Sequence, residues 1–278
     1  MKVIAVIPAR YDSTRFAGKV LAKDTGKYLI QHTYEQACKA KLPEKVILAT
    51  DDEKVVAAAA EFGAECILTS PDHQSGTDRI AEAVEKIADS GQRIADSNEK
   101  DKLNAERCTL NAHEKRYTLN ADDIVVNLQG DEPEIDPANI DYLARLLMDN
   151  PDCPMATLSA EFQTPKQVTD PNIVKVIVGA NKQAVYFSRH PIPYDRDAAG
   201  VGNVQQYLRH LGIYAYRKGF LLKITSLPQT PLEKIEKLEQ LRAIENGYSI
   251  LVGKVKHTCD GIDTPEQYAE FVKRYKGK

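Results

Sequence analysis

The sequence lacks long apolar runs, tryptophan and any Cys-x-x-Cys pair. Without an apolar run of about 18 residues, no transmembrane helix is expected. Only about six apolar residues precede Pro8, too few for the core of a secretion signal. The five cysteines form an odd set without metal-ligand spacing, which is typical of a cytoplasmic chain with free thiols. We therefore expect a cytoplasmic protein that does not bind membranes.

Net charge is also nearly absent, because 37 lysines and arginines face 40 aspartates and glutamates. A chain with a net charge of -3 has no global field that would attract nucleic acid or an anionic membrane surface. Any site for an anion must therefore be local. The 278 residues are enough for one large core, and we predict a single domain over residues 1–278.

The two common glycine fingerprints for nucleotides are missing. No GxGxxG follows the first apolar run, 3–7, and the "AGKV" that comes later lacks the residues of a Walker loop. Instead, the stretch "IPARYDSTRFAGKVLA" places Arg10, Arg15 and Lys19 within ten residues. Such cations repel one another unless an anion lies between them, and their side chains match phosphate oxygens. The stretch indicates an oligophosphate site, with a solvated cationic turn as the alternative.

The first half of the chain alternates short β-branched runs with helical patterns. The predicted strands are 3–7, 45–49, 65–68 and 124–128, and the predicted helices are 28–40, 52–62, 77–88 and 137–148. This alternation predicts a mostly parallel sheet with helices on both faces. Ligands of such sheets bind beyond the carboxyl ends of the strands, where this sequence has "PAR", "ATDD" and "NLQGDEP".

The second half alternates apolar and polar residues between turns. This pattern predicts antiparallel strands that form a sheet extension or an arm over about residues 155–215. One helix is expected from Pro231 to about Asn246, with apolar residues recurring every three positions. A short strand, 249–252, and a helix after "DTPEQ" complete the prediction.

Residues 88–121 are polar and repetitive, with "IADS" twice and "LNA" three times. They lack a sustained apolar face, so we expect a surface insertion that forms a solvated loop or a frayed helix. His113 and Cys108 lie within it and are not considered ligand candidates.

Two carboxylates follow predicted core elements. In "NLQGDEP", Asp131 comes directly after a buried strand, where one or two carboxylates beside phosphate oxygens suit Mg²⁺. A turn-forming Gly-Asp is the simpler alternative. In "GIDTPEQ", Asp263 precedes a helix, where Asp-Thr-Pro is also an ordinary N-cap arrangement. "SPDHQSGTDR" contains a helix start whose free N–H groups can hold a base edge or a phosphate.

Taken in order, these motifs resemble the 3-deoxy-manno-octulosonate cytidylyltransferases. The motifs that carry the resemblance are "IPARYDSTRFAGK", "ATDDEKV", "DHQSGTDR", "VVNLQGDEP", "YFSRHPIPYDR", "LRHLGIYAYR", "PLEKIEKLEQLRAIENG" and "GIDTPEQ". They span essentially the whole chain except the insertion, and "RHLGIYAYR" with "LEQLR" is the most specific part. Ala17, Val20 and Tyr28 stand where this family usually has proline, which should loosen the phosphate loop.

The resemblance implies a Rossmann-like α/β fold of the nucleotide-diphospho-sugar-transferase type, with an antiparallel arm that forms a homodimer. It implies the reaction of CTP with 3-deoxy-D-manno-octulosonate (KDO) to CMP-KDO and pyrophosphate, with Mg²⁺ as cofactor, for lipopolysaccharide synthesis. No protein nucleophile is needed. The alternatives are a cytidylyltransferase for 8-amino-KDO or a sialic acid, and a non-catalytic nucleotide sensor of the same fold.

The resemblance also assigns roles to individual residues. The expected nucleotide-binding residues are Pro8, Ala9, Arg10, Ser13, Thr14, Arg15, Lys19, Gln74, Ser75, Gly76 and Arg79. The expected sugar-binding residues are Gln129, Arg189, His210, Tyr214, Glu239 and Gln240. Asp131 and Asp263 are expected to hold the metal, and together with Arg10 and Lys19 they form the expected catalytic set.

Overall fold

The computed structural model describes residues 1–12, 16–73, 75–96, 117–256 and 261–277. The strands are β1 (Val3–Ala9), β2 (Lys45–Thr50), β3 (Glu65–Leu68), β4 (Ile124–Asn127), β5 (Met155–Glu161), β6 (Lys175–Val178), β7 (Ala184–Ser188), β8 (Leu208–Arg217) and β9 (Ile250–Lys254). The helices are α1 (Leu29–Ala37), α2 (Glu53–Glu61), α3 (Gly76–Asp96), α4 (Pro137–Met148), α5 (Pro165–Thr169), α6 (Lys218–Ser226), α7 (Pro231–Glu236), α8 (Leu241–Glu245) and α9 (Pro265–Lys276). Within these ranges, no helix is long and apolar enough to cross a membrane.

The sheet has the order β3-β2-β1-β4-β8-β5-β9. β1 pairs in parallel with β2 and β4, and β5 pairs in parallel with β9. Only β8 on this path runs antiparallel to its neighbours, β4 and β5. The predicted mostly parallel α/β sheet is therefore confirmed.

Alternate residues of β1 face opposite sides of the sheet, as the pleat requires. On one side, Ile7 is buried in a cluster that includes Ile30 of α1. On the other side, Ile4 is buried with Ile80 of α3 and Leu221 of α6. Helices thus cover both faces, in agreement with the prediction.

Of the two predicted alternatives, β5 forms a sheet extension and not an arm, since it pairs antiparallel with β8. β5 lies within the central sheet, and its first six residues are buried. Its polar residues are not solvent-facing, because the Thr157 hydroxyl donates to the Ile213 carbonyl at 2.8 Å and Ser159 donates to the Gly253 carbonyl at 3.3 Å. Backbone acceptors inside the sheet can satisfy such hydroxyls, so alternation of Thr and Ser with apolar residues did not indicate an exposed face.

The β6–β7 hairpin lies off the main strand path and is joined to it where Lys175 pairs with Arg209 of β8. This hairpin is the part of the predicted 155–215 extension that the structure separates from the central sheet. Its predicted role in dimerisation stays a prediction.

Two helix predictions need correction. α3 continues to Asp96, beyond the predicted end at residue 88, so the first part of the predicted insertion is helical. Residues 97–116 of the insertion lie outside the described residues. The helix predicted over 231–246 is broken into α7 and α8, because Lys237 adopts a left-handed conformation with φ of 54°. Helices α5 and α6 were not predicted from the sequence.

Candidate active site

A cavity of about 750 Å³ opens at the carboxyl ends of β1 and β4. The antiparallel β8 brings its first half to the same edge, since Tyr214 pairs with Asn127 in the sheet register. The predicted site residues that line the cavity are Gly76, Gln129, Asp131, Arg189, His210, Tyr214, Glu239, Gln240 and Asp263. Residues far apart in the chain therefore share one cavity.

Lys19 lies beside one end of this cavity and contacts two carboxylates that line it. Its Nζ lies 2.5 Å from Asp131 Oδ2 and 3.0 Å from Asp263 Oδ1, and it donates to the Ile262 carbonyl at 2.9 Å. Lys19 is 8% exposed, so these contacts replace most of its hydration. The predicted phosphate-binding lysine and both predicted metal ligands meet at a single point.

Gly130 explains how Asp131 reaches this point. A Cβ on residue 130 would lie 2.8 Å from the Pro8 carbonyl oxygen and 3.0 Å from Ile30 Cδ1. Only glycine allows the end of β4 to approach the end of β1 this closely. The Gly-Asp sequence is therefore required by packing between strands, in addition to any turn that it forms.

Asp263 is not the N-cap of the last helix. Thr264 caps α9, and its side chain and that of Gln267 form a capping box. The backbone N–H of Ile262 also donates to the Asp131 carbonyl at 2.8 Å, which ties the two acidic segments together. Since Thr264 performs the capping, the carboxylate of Asp263 can pair with Lys19.

The donor set at this point fits a magnesium ion. Asp131 and Asp263 both place an oxygen within 3.0 Å of one atom, Lys19 Nζ. In the part of the chain that the structure describes, no group of three or more Asp, Glu, His or Cys side chains could hold a metal ion. A pair of carboxylates that leaves other positions to phosphate oxygens and water is the usual protein contribution to a magnesium site.

Four further residues predicted to bind the nucleotide, Pro8, Ala9, Arg10 and Ser75, do not line the cavity, and their nucleotide contacts stay predictions. Arg10 Nη2 donates to the His73 carbonyl at 2.8 Å, and Ser75 Oγ accepts from the Asp78 N–H at 3.1 Å, at the start of α3. Ala9 is buried, and Pro8 packs 3.3 Å from the position of a Cβ on Gly76. Predictions for Ser13, Thr14, Arg15 and Gln74 fall outside the described residues.

Arg79 is placed away from the cavity, contrary to its expected contact with the nucleotide. It is fully buried, and its guanidinium contacts Asp51 Oδ2 at 2.7 Å and Thr69 Oγ1 at 2.6 Å. Burial lowers the pKa of Arg79, while Asp51 raises it. The arginine links the ends of β2 and β3 to α3 and thereby shapes the loops around the cavity.

His210, on β8, also lines the cavity. Its Nε2 is 2.9 Å from the Thr157 hydroxyl, which itself donates to a backbone carbonyl. We assign the ring proton to Nε2 from this network, which leaves Nδ1 as an acceptor. Burial lowers the pKa of His210 to about 3, so the ring is neutral at physiological pH.

Tyr214 and Gln240 form a neutral pair beside it. The Tyr214 hydroxyl donates to Gln240 Oε1 at 3.1 Å, and burial raises the pKa of Tyr214 well above its ordinary value. Among the described residues, Gln240 Nε2 and Asn127 Oδ1 are buried without a hydrogen-bond partner. Both residues line the cavity, but these two atoms are buried behind its surface, so a polar ligand would reach them only after the side chains shift.

The break between α7 and α8 places Glu239 in the cavity. Glu239 Oε2 accepts from the Thr77 hydroxyl at 2.6 Å. The carboxylate still meets solvent inside the cavity, and burial among surrounding protein atoms raises the pKa of Glu239. A buried ion pair between Arg242 and Glu233, at 2.6 Å, joins the two short helices across the break.

Comparisons of the sequence with known proteins identify its family. The family model described as Cytidylyltransferase matches residues 4–96 and 97–250. The 3-deoxy-manno-octulosonate cytidylyltransferase of Solibacter usitatus is 43% identical over 275 residues, which cover 99% of this chain and 95% of that protein. The enzyme of the same name from Syntrophobacter fumaroxidans is 41% identical, with 98% and 96% covered.

The chain belongs to the 3-deoxy-manno-octulosonate cytidylyltransferase family.

Solved structures support the membership of this chain in the cytidylyltransferase family. The structure of CMP:2-keto-3-deoxy-manno-octonic acid synthetase complexed with CTP is 37% identical, with a TM-score of 0.81 over 100% of this chain and 99% of that chain. The crystal structure of a Bacillus anthracis protein described as a glucose-1-phosphate thymidylyltransferase is 12% identical to this chain. It has a TM-score of 0.62 over 99% of this chain and 96% of that chain. The second likeness shows a shared fold.

Sequence reasoning missed several cavity residues of this cytidylyltransferase. Asn127, Arg209 and Lys237 all line the cavity. Asn127 could have been found, because it is a polar residue at the end of an otherwise apolar run, "IVVN". Lys237 could be recognised only once the helix break was known.

Proposed function

We propose that this cytidylyltransferase transfers CMP from CTP to the anomeric hydroxyl of KDO and releases pyrophosphate, as a step in lipopolysaccharide synthesis. The observation that supports this most directly is the composition of the cavity. Lys19 with two carboxylates marks one end, and the other end combines hydrogen-bonded neutral groups with the charged side chains of Glu239 and Arg189. The first end suits a metal–triphosphate, and the second suits the hydroxyls of a sugar.

The phosphate end supplies charge. Lys19 and Arg10 would offset the negative charge of the triphosphate and of the departing pyrophosphate. Asp131 and Asp263 would hold Mg²⁺, which when bound lowers the pKa of the attacking hydroxyl and offsets charge on the α-phosphate. The sugar hydroxyl oxygen then forms a bond to the α-phosphorus as the bond to pyrophosphate breaks, and a proton is released.

The sugar end supplies orientation. His210 would offer Nδ1 as an acceptor, Gln240 would offer Nε2 as a donor after a shift of its side chain, and Glu239 would offer a carboxylate that accepts from hydroxyls. Arg189, Arg209 and Lys237 line the same part of the cavity and provide positive charge for the sugar carboxylate. Holding the hydroxyl close to the α-phosphate turns a bimolecular reaction into an effectively intramolecular one.

The reaction is tested by pyrophosphate release. The purified chain is incubated with Mg²⁺, each of CTP, UTP, ATP and GTP, and each of KDO, 8-amino-KDO and N-acetylneuraminate. We expect release with CTP and KDO far above all other pairs. Preference for another acidic sugar with CTP would establish a cytidylyltransferase of different specificity. CTP binding without release in any pair would indicate a nucleotide sensor.

We also propose that the chain acts as a cytoplasmic homodimer, with the β6–β7 hairpin in the interface. Val185 of β7 is 57% exposed, and an exposed apolar strand residue favours a protein partner. Light scattering at micromolar concentration should give the mass of two chains. A Val185→Lys variant should shift that mass towards one chain, whereas an unchanged dimer would place the interface elsewhere.

A further inference from the structure

Lys175 is a fully buried lysine that the proposed reaction does not use. It lies on β6, is 0% exposed and does not line the cavity. Its Nζ donates to the carbonyls of Asp170 at 2.9 Å, Ile173 at 2.7 Å and Arg189 at 2.5 Å. An ammonium group has three N–H bonds, so these three contacts use all of its donors.

The three carbonyls come from two separate segments. Asp170 and Ile173 belong to the turn that follows α5, and Arg189 follows β7. Burial lowers the pKa of Lys175, so keeping the charged form there has a cost that the three carbonyls offset. A lysine held in this way fixes the distance between the two segments.

Both segments form the wall of the cavity. Asp170, Asn172, Ile173 and Arg189 all line it. The Arg189 guanidinium donates to the Pro171 carbonyl at 3.0 Å and to the Glu236 carbonyl at 2.7 Å. Through Glu236 and the neighbouring Lys237, this set of contacts reaches the helix break that carries Glu239.

We propose that Lys175 is a positioning residue for the acidic sugar. It holds the backbone of Arg189 against the 170–173 turn, and this fixes the guanidinium and the wall that face the sugar. Lys175 does not contact the sugar itself, and it has no contact with the phosphate end of the cavity. The inference rests on the proposed function, because it assigns the sugar to this wall.

The first test compares Michaelis constants in a Lys175→Met variant of the full chain. We expect the KM for KDO to rise at least tenfold, while the KM for CTP stays within about twofold and kcat within about threefold. Lys218→Met is the matched control, since Lys218 Nζ also donates to a backbone carbonyl, that of Leu119 at 2.8 Å, away from the cavity. The control should leave both Michaelis constants unchanged.

The second test asks whether Lys175 acts through Arg189. In an Arg189→Met background, adding Lys175→Met should raise the KM for KDO by less than twofold further. A Lys175→Arg variant, which keeps a cation with several N–H donors, should restore much of the lost KDO affinity. If Lys175→Met does not fold, Lys175→Gln takes its place in both comparisons.

Four results would contradict the proposals. Equal increases in the KM for CTP and for KDO, or effects of Lys175→Met and Arg189→Met that multiply in full, would overturn the positioning role. A lower melting temperature with an unchanged KM for KDO would also overturn it, since that result describes a purely structural lysine. Absence of turnover with CTP and KDO in the wild-type chain would instead overturn the proposed function on which the role rests.

Discussion

The two ends of the cavity differ in how their polar groups are satisfied. At the proposed phosphate end, Lys19 contacts two carboxylates, which lie 2.5 and 3.0 Å from its Nζ. At the proposed sugar end, the neutral groups His210 and Tyr214 are held by Thr157 and Gln240, and the cation Arg189 donates to backbone carbonyls instead of carboxylates. The proposed phosphate end would therefore have to exchange partners when it binds its ligand, whereas the groups of the proposed sugar end are already held in place.

The difference follows from charge. A buried ammonium is costly unless a carboxylate or carbonyl compensates it, so Lys19 needs internal partners before any ligand arrives. Neutral groups have a much smaller desolvation cost and can keep a spare donor or acceptor in a partly hydrated cavity. Preorganised neutral groups lose little entropy when the sugar binds.

The largest effect should come from the carboxylates of the phosphate end. Asp131→Asn and Asp263→Asn should each lower kcat at least about a hundredfold, the scale of a lost electrostatic catalyst. Both variants should remain folded by circular dichroism, because neither carboxylate lies in an apolar cluster. Asp141→Asn, whose carboxylate caps backbone N–H groups at residues 41 and 42, is the control with expected normal turnover. Near-normal activity of Asp131→Asn at saturating Mg²⁺ would remove the metal assignment.

Lys19→Met should affect the two ends of the cavity unequally. Loss of charge-assisted phosphate contacts should raise the KM for CTP about ten- to a hundredfold, with the KM for KDO nearly unchanged. The same variant should bind Mn²⁺ more tightly than the wild type when no nucleotide is present, because Lys19 no longer competes for Asp131 and Asp263. Calorimetry measures this second effect.

The control for Lys19 is Lys27→Met, which removes a lysine that pairs with Glu35 at 2.6 Å and does not line the cavity. It should leave both CTP kinetics and Mn²⁺ binding unchanged. A Lys19→Met enzyme with altered KDO kinetics and normal CTP kinetics would contradict the division between the two ends.

A smaller effect, on the melting temperature, is expected when the carboxylate of Glu239 is replaced by a neutral amide. Its folded-state pKa is raised, so ionising Glu239 costs folding free energy, and this cost grows as pH rises from the unfolded-state value to the raised folded value. Glu239→Gln should therefore melt at a higher temperature than the wild type at neutral pH, and the gap should close below about pH 4. Melting curves at several pH values measure this. If Glu239→Gln were instead less stable than the wild type at neutral pH, the folded protein would not disfavour the ionised form of Glu239.

The smallest effect should come from a region outside both ends of the cavity. Replacing residues 97–116 with a short Gly-Ser linker should leave kcat and both Michaelis constants within a few fold, because α3 ends at Asp96 and the core resumes with Leu119. Leu119→Ala in the full chain is the control, and it should cost about 2–5 kcal/mol as a buried large-to-small change. Loss of activity in the linker variant would assign the segment a role in the site.

Much of the molecule could be predicted from local patterns. The apolar run that starts at Val3 and the helical periodicity near Pro137 fixed two elements close to their observed bounds. The motif around Asp131 correctly indicated an acidic group at the end of a buried strand. These predictions succeeded because hydrophobic periodicity and turn residues act over a few neighbouring positions.

Other features could not be predicted in this way. Thr264, rather than Asp263, caps α9, and both residue types are good N-caps, so packing of Asp263 against Lys19 made the choice. The sequence predicts one continuous helix over 231–246, whereas the structure breaks it at Lys237. The spacing of three between apolar residues, which does not keep them on one face of an α-helix, was the local sign of this break. Ile235, one of the apolar residues in that spacing, is 77% exposed in α7.

By itself, the sequence determined the alternation of strands and helices, the family motifs and the residue types available for binding. Only the tertiary structure decided that Lys19 would meet Asp131 and Asp263 from 112 and 244 residues away. It also decided that Arg79 would be buried against Asp51 instead of lining the cavity. The physical reason is that local sequence biases backbone conformation, whereas burial and the pairing of charges depend on which distant segments compete for the same space.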